Sequence, residues 1–199
     1  MVRIEGALVG EECDAWGWYL EDVYFLRKRD DPDWVRPKHI IENEKNKTLQ
    51  LTPIQEYELI NAQIEASEGF DVDWTKARCL YSYHPVEFDE DAFVEKPETN
   101  LDLVNMLCDK SIGYYNKENN TAYEFVKALY ANFHASVGIM FLITFQVKDP
   151  SDNNLVKDFQ ARVFYSFCSK SQFILCRPKQ HQPDSLEVAQ NDPKKPRLE

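Results

Sequence analysis

Ile139-Met140-Phe141-Leu142-Ile143-Thr144-Phe145-Gln146-Val147-Lys148, followed after a short gap by Phe159-Gln160-Ala161-Arg162-Val163-Phe164-Tyr165-Ser166-Phe167, alternates apolar and polar residues with the two-residue period of a β-strand. In the first run Ile139, Phe141, Ile143, Phe145 and Val147 share one face. Their alternates become steadily more polar towards Lys148. In the second run Phe159, Ala161, Val163, Tyr165 and Phe167 share a face against Gln160, Arg162 and Ser166. The connection, Asp149-Pro150-Ser151-Asp152-Asn153-Asn154, is dense in turn formers and too short for a crossover helix, so the two strands are expected to be antiparallel neighbours. An earlier strand is expected with Tyr123, Phe125, Leu129, Ala131 and Phe133 on one parity, interrupted by Lys127. A short last strand is expected near 173–176.

A sheet with one apolar face needs a cover, and the sequence supplies one just upstream. Leu101, Val104, Cys108, Ile112 and Tyr115 fall on one helical stripe, widened by Leu103 and Leu107. Thr99 is a natural N-cap and Asp102, three residues on, completes a capping box. The polar run Asn116-Lys117-Glu118-Asn119-Asn120 is expected to stop the helix. Together these elements predict an α+β fold with one helix packed across an antiparallel sheet.

The N-terminal half reads as an acidic extension over residues 1–98, ahead of a sheet domain over 99–178 and a polar tail over 179–199 that is expected to be disordered. Thr52-Pro53-Ile54-Gln55 marks the start of a helix near 53–67, with Ile54, Tyr57, Leu59, Ile60 and Ile64 on its apolar face and Gly69 placed to end it. A strand is expected near 77–83, stopped by Pro85, and an acidic bridge leads from there into the sheet domain. Trp16, Trp18, Tyr19, Val23, Tyr24 and Phe25 cluster upstream, either packing onto the main domain or offering an anchor to a partner. Residues 27–48, charged and broken by Pro32 and Pro37, read as a linker.

The succession Tyr123-Glu124-Phe125-Val126-Lys127, Gly138, Leu142-Ile143-Thr144-Phe145-Gln146-Val147-Lys148-Asp149 and Phe159-Gln160-Ala161-Arg162-Val163-Phe164 resembles the strand order of plant cystatins. With Gly69-Phe70-Asp71-Val72-Asp73 and Tyr83-His84-Pro85, the whole chain is still more similar to an uncharacterised cystatin-related family of plants that includes proteins named for male-sterility and embryo-defect phenotypes. That resemblance implies a cystatin-like fold and no established activity. Cystatins block papain-like proteases with an N-terminal glycine strand, a Gln-x-Val-x-Gly hairpin and a Pro-Trp hairpin. The corresponding first hairpin here, His134-Ala135-Ser136-Val137-Gly138, keeps only the glycine. The second, near Ser166-Phe167-Cys168-Ser169-Lys170-Ser171-Gln172, has neither proline nor tryptophan, and a buried interface tryptophan alone is often worth about 2 kcal/mol or more.

Composition bounds the rest. A chain of 199 residues, 43% hydrophobic, can bury one ordinary core. Its net charge of -11 argues against a general partner in nucleic acid or anionic membrane. The negative charge resides in residues 1–100, as a solvated surface or an acidic docking face. The opening residues lack a basic region followed by an apolar core, and no run is long enough to span a bilayer, so a cytoplasmic or nuclear, non-secreted protein is expected. On that basis the glycosylation patterns Asn46-Lys47-Thr48 and Asn119-Asn120-Thr121 read as chance, and Pro193-Lys194-Lys195-Pro196-Arg197 as a basic tail open to import. Cys13, Cys79, Cys108, Cys168 and Cys176 are widely spaced and expected to be reduced, although Cys168 and Cys176 could meet across strands.

His39, His84, His134 and His181 are scattered without ligand spacing, and the acidic clusters lack a calcium-loop glycine. No catalytic residue, cofactor or metal is therefore expected. His134 beside Gly138 is expected to be an exposed turn residue. The leading expectation is a non-catalytic interaction module that holds another protein by His134, Ala135, Ser136, Val137 and Gly138 in the first hairpin and Cys168, Ser169, Lys170, Ser171 and Gln172 in the second. A weak or altered inhibitor of papain-like proteases is the alternative. An enzyme working from the inner side of the sheet would need a polar constellation where Phe, Ile and Val predict a filled core.

Overall fold

The computed structural model describes residues 38, 43, 51, 53–77, 83–135, 138–167 and 169–180. Its elements are α1 (Pro53–Ser67), a 3-10 turn (Trp74–Lys76), β1 (Tyr83–Pro85), α2 (Asn100–Asn119), β2 (Glu124–Ala135), β3 (Ile139–Asp149), β4 (Leu155–Tyr165) and β5 (Gln172–Pro178). The strands form one antiparallel sheet in the order β1-β2-β3-β4-β5, with α2 across it. This is the α+β plan with a helical extension that the sequence predicts. The aromatic cluster near residue 16, the linker around 27–48 apart from Lys38 and Asn43, and the tail beyond residue 180 lie outside the described residues.

The inner core follows from the alternation. Phe141, Ile143, Phe145 and Val147 of β3 are fully buried, as are Phe159, Ala161 and Val163 of β4. The register sets Phe145 against Phe159 and the small Ala161 against Ile143, so bulk alternates across the pair. Asn153 and Asn154 take the left-handed conformation that closes the intervening turn, and Asp149 Oδ2 accepts from Lys157 Nζ at 2.7 Å. Over this face α2 lays Leu103, Val104, Leu107, Cys108 and Ile112, with Leu101 and Tyr115 at the margins.

Thr99 and Asp102 form the expected capping box, Thr99 N donating to Asp102 Oδ2 at 2.8 Å. The far end differs from expectation, because the polar run continues the helix to Asn119. Asn116 is occupied in tying helix to strand: its Nδ2 donates to Tyr123 O at 2.8 Å and its Oδ1 accepts from Tyr123 N at 3.0 Å. The stop falls at Asn120, which adopts the left-handed C-cap with φ 53°.

Three strand expectations are corrected. β2 carries register shifts between Phe125 and Lys127 and between Ala128 and Tyr130. Each extra residue changes the parity, so Ala128 turns to the core in place of Leu129. β4 ends at Tyr165, leaving Phe167 63% exposed rather than on the inner face. The strand expected over 77–83 lies at Tyr83–Pro85, paired with Asn132 to His134 of β2, while Ala77 caps the 3-10 turn and 78–82 lie outside the described residues. Val86 and Phe93, from the acidic bridge, sit in the main core.

The sheet is covered on both faces, not one. α1 runs as expected and ends where Glu68 and Gly69 turn left-handed, Gly69 N donating to Ile64 O at 2.8 Å. Tyr57, expected on its apolar stripe, is exposed, while Ile60 is buried. The chain then crosses the outer face of the sheet, where Phe70 is fully buried against Tyr83 and Leu142, with Ile64, Val72, Trp74, Met140 and Leu175 around it. Complete burial of one such phenylalanine contributes about 1.5–3 kcal/mol.

Polar groups fasten this cover. Asn132, buried in β2, accepts from Trp74 Nε1 at 2.8 Å and donates through Nδ2 to Gly69 O at 2.9 Å and Phe70 O at 3.0 Å. Tyr83 donates its hydroxyl to Gly69 O at 2.6 Å. Around the rim Glu68 meets Arg177 at 3.0 Å and Arg162 at 3.5 Å, and Asp71 meets Lys179 at 2.9 Å and the Tyr130 hydroxyl. These rim pairs are partly exposed and individually weak. Asn132 sits in low dielectric with all its partners satisfied, so it dominates.

Replacing Asn132 with leucine should lower the unfolding free energy by about 2–4 kcal/mol, since one acceptor and two donated bonds are lost at buried partners. Denaturant unfolding measures this, and a loss within the usual ±0.5 kcal/mol of a surface change would contradict it. A fragment of residues 95–180, lacking Phe70, Tyr83, Val86 and Phe93, should show no cooperative transition.

Candidate functional site: the hairpin end of the sheet

Both hairpins arrive at the same end of the molecule because the register requires it. Ala135 pairs with Ile139, Ile139 with Tyr165, and Phe164 with Gln172, so the β2-β3 and β4-β5 connections lie side by side. Tyr83 pairs with His134, which brings the chain entering β1 to this end too. Two hairpins and the start of β1 therefore meet at one end of the sheet.

The expected site residues divide by position. His134 and Ala135 are the last residues of β2, Gly138 precedes β3, Ser169, Lys170 and Ser171 form the second turn, and Gln172 opens β5. Ser136, Val137 and Cys168 lie outside the described residues. The second turn is held by Ser169 N donating to Ser166 Oγ at 3.1 Å, and Lys170 projects into solvent.

Gly138 is fixed by space. A Cβ there would stand 2.5 Å from the carbonyl oxygen of Tyr165 and 2.8 Å from the ring of Phe164. The glycine therefore lets the first hairpin lie against the end of β4.

His134 is not the exposed turn residue expected. It lies in β2, half-buried, with its ring stacked on Tyr83 at 5.7 Å, and Tyr83 in turn stacks near Trp74 at 6.3 Å. Burial, with a lesser push from Arg162, holds its imidazole below the ordinary histidine range, although a contact with the Ala135 carbonyl works the other way. At neutral pH it is an uncharged aromatic support rather than a proton donor at the tip.

Two contributors stand outside the expected partner-binding residues. Tyr165 packs its ring against Phe141 at 6.1 Å on the inner side and against Phe167 at 5.2 Å on the outer. Phe167, assigned to the core by parity, is instead the most exposed large apolar side chain among the described residues. The signal was available in Ser166, Ser169 and Ser171, which interrupt the strand pattern around it.

Burial pushes the thiol of Cys176 up to about 12 and that of Cys108 well above its usual range, so neither is a thiolate nucleophile at neutral pH. Both are free, and the alternative in which Cys176 meets Cys168 falls on a residue outside those described. Among the described residues no group of three or more His, Cys, Asp or Glu could hold a metal ion, and no helix is long and apolar enough to cross a membrane.

Gly138→Ala should destabilise the protein by about 1–3 kcal/mol, the usual range for forcing atoms into a filled space. Thermal unfolding reads this, and an unchanged midpoint would contradict the close approach. His134 supplies a pH dependence with a definite sign. Its folded pKa is depressed, so the unfolded chain binds the proton first. Stability is complete above about pH 6.5, the ordinary histidine value, and is lost as pH falls through the folded value. Denaturant unfolding from neutral pH down to about pH 5 should show that fall reduced in His134→Phe; equal slopes in the two proteins would contradict it.

No protein-family model matches the chain, and no curated protein is similar to it.

Proposed function

We propose that the chain is a non-catalytic interaction module of the cystatin-related type, which grips another protein with the hairpin end of its sheet. The observation that carries this reading is Phe167, 63% exposed and braced edge-on by Tyr165, in the second hairpin. Exposed aromatics on a firm backing are the usual anchors of protein interfaces, whose centres are poor in charge. The hairpin stretches 134–140 and 165–172 fit that pattern: in a chain of net charge -11 they contain no carboxylate and a single lysine. A cytoplasmic or nuclear partner is part of this proposal.

Inhibition of a papain-like protease is the second reading, favoured by the meeting of three segments at one end of the sheet. Against it stand His134 to Val137 in place of Gln-x-Val-x and the missing Pro-Trp of the second hairpin. A photo-crosslinking residue placed at Ser171 should capture a discrete partner from the native tissue, and Phe167→Ala should cut the yield on the order of tenfold. The same crosslinker at Asp152, at the opposite end, should not capture that partner. Equal capture from both ends would overturn the proposal, and inhibition of papain-like enzymes at about micromolar protein would transfer it to the second reading.

A further inference from the structure

β5 closes one side of the sheet and pairs only with β4 among the described residues. Half of its backbone donors and acceptors therefore face outward without a strand partner among the described residues, a surface that proteins ordinarily blunt with charge, proline or a covering element. β5 is blunted only at its end, by Arg177 and Pro178; Gln172 to Cys176 carry no charge. A register shift opposite Arg162 and Val163 leaves Ile174 outside the paired residues and 51% exposed.

The exposed apolar surface gathers here. Among the described large apolar side chains, four are exposed by half or more, and three of them flank this strand: Phe167 before it, Ile174 within it, and Tyr114 of α2, whose ring lies 5.0 Å from Phe173. The charge is equally uneven. From Phe159 to Pro183 the chain has no carboxylate, yet it carries Arg162, Lys170, Arg177 and Lys179 within a protein of net charge -11. On the outer face Arg162 and Arg177 share the one carboxylate of Glu68, leaving positive charge in excess. Lys170 is exposed, while Glu118, whose charge reaches Cys176, belongs to α2.

From these features we infer that the open edge of β5 accepts an extended acidic segment of another protein as an added strand. Main-chain bonds run along β5, alternate apolar side chains of the segment lie over Ile174, Tyr114 and Phe167, and its carboxylates meet Lys170 and the excess guanidinium. A second copy of this chain is a poorer occupant. Antiparallel self-pairing would bring Lys170 of each copy towards the Arg177 and Lys179 end of the other, and both carry a large net negative charge. The inference rests on the interaction reading but uses the sheet edge rather than the hairpin tips.

The test uses the full-length, isotope-labelled protein and two soluble peptides, one alternating valine and glutamate, the other alternating valine and lysine. The acidic peptide should shift backbone amide resonances of Gln172 to Pro178 and the adjoining turn, with affinity of about 1 mM or tighter, weakening as salt is raised. The basic peptide should not. Ile174→Asp and Lys170→Glu alter exposed positions, and each should weaken the acidic peptide on the order of tenfold while the remaining spectrum is unchanged. Absence of shifts, shifts mapping to other elements, equal response to both peptides, or full binding by Ile174→Asp would each overturn the inference. If the peptide binds β5 while the hairpin crosslink fails, the hairpin reading falls and the edge stands; the reverse result removes the edge alone.

Discussion

The whole architecture depends on β3 being buried from both sides. Its inner side chains Phe141, Ile143, Phe145 and Val147 lie under α2, and its outer Leu142 and Thr144 lie beneath the chain that follows α1. A strand in that position has no solvated face, so its register is fixed twice. That double constraint sets the alignment of β2 and β4, and through them the place where both hairpins emerge. The hairpin end is thus a consequence of the core, and Phe167 stands proud there because β4 stops at Tyr165.

The two faces are held by different chemistry. The inner one is apolar and rich in aromatic contacts, such as Phe93 edge-on to Phe133 at 4.8 Å and Tyr115 edge-on to Phe159 at 5.1 Å. The outer one mixes Phe70 with buried Asn132, Thr144 and Gln160, and its rim is ionic. Phe70 lies flanked by the guanidinium groups of Arg162 and Arg177, 6.0 Å and 5.7 Å from its ring centre. Hydrogen-bonding directionality at Asn132 makes this face specific where apolar burial alone would tolerate sliding.

Much of this was legible in the sequence, for physical reasons that differ by element. The alternation of β3, that of β4 as far as Tyr165 and the helical stripe from Leu101 to Tyr115 each have one simple period, and they place the inner core as expected. Thr99 and Asp102 announce a cap whose chemistry is local. β2 was harder, because two bulges change its parity and nothing in its composition marks which residue is extra. The outer cover was not legible, since Phe70 and Trp74 sit in an aperiodic stretch whose value appears only when Leu142 and Asn132 lie beneath it. Of the candidate site, the order and spacing of the strands located both hairpins, but exposure of Phe167 and partial burial of His134 are properties of tertiary context.

Residue-resolved hydrogen exchange on the intact protein tests the central claim most directly. If β3 is clamped by both covers, the amides of Phe141 to Val147 should exchange only through global unfolding, and those of Ile64, Gly69 and Val86, bonded into the covers and β2, should open in the same cooperative unit as β2 and β4. Free exchange of Ile64 and Gly69 while β3 stays protected would contradict the account, because the outer cover would then be an accessory and not a part of the fold.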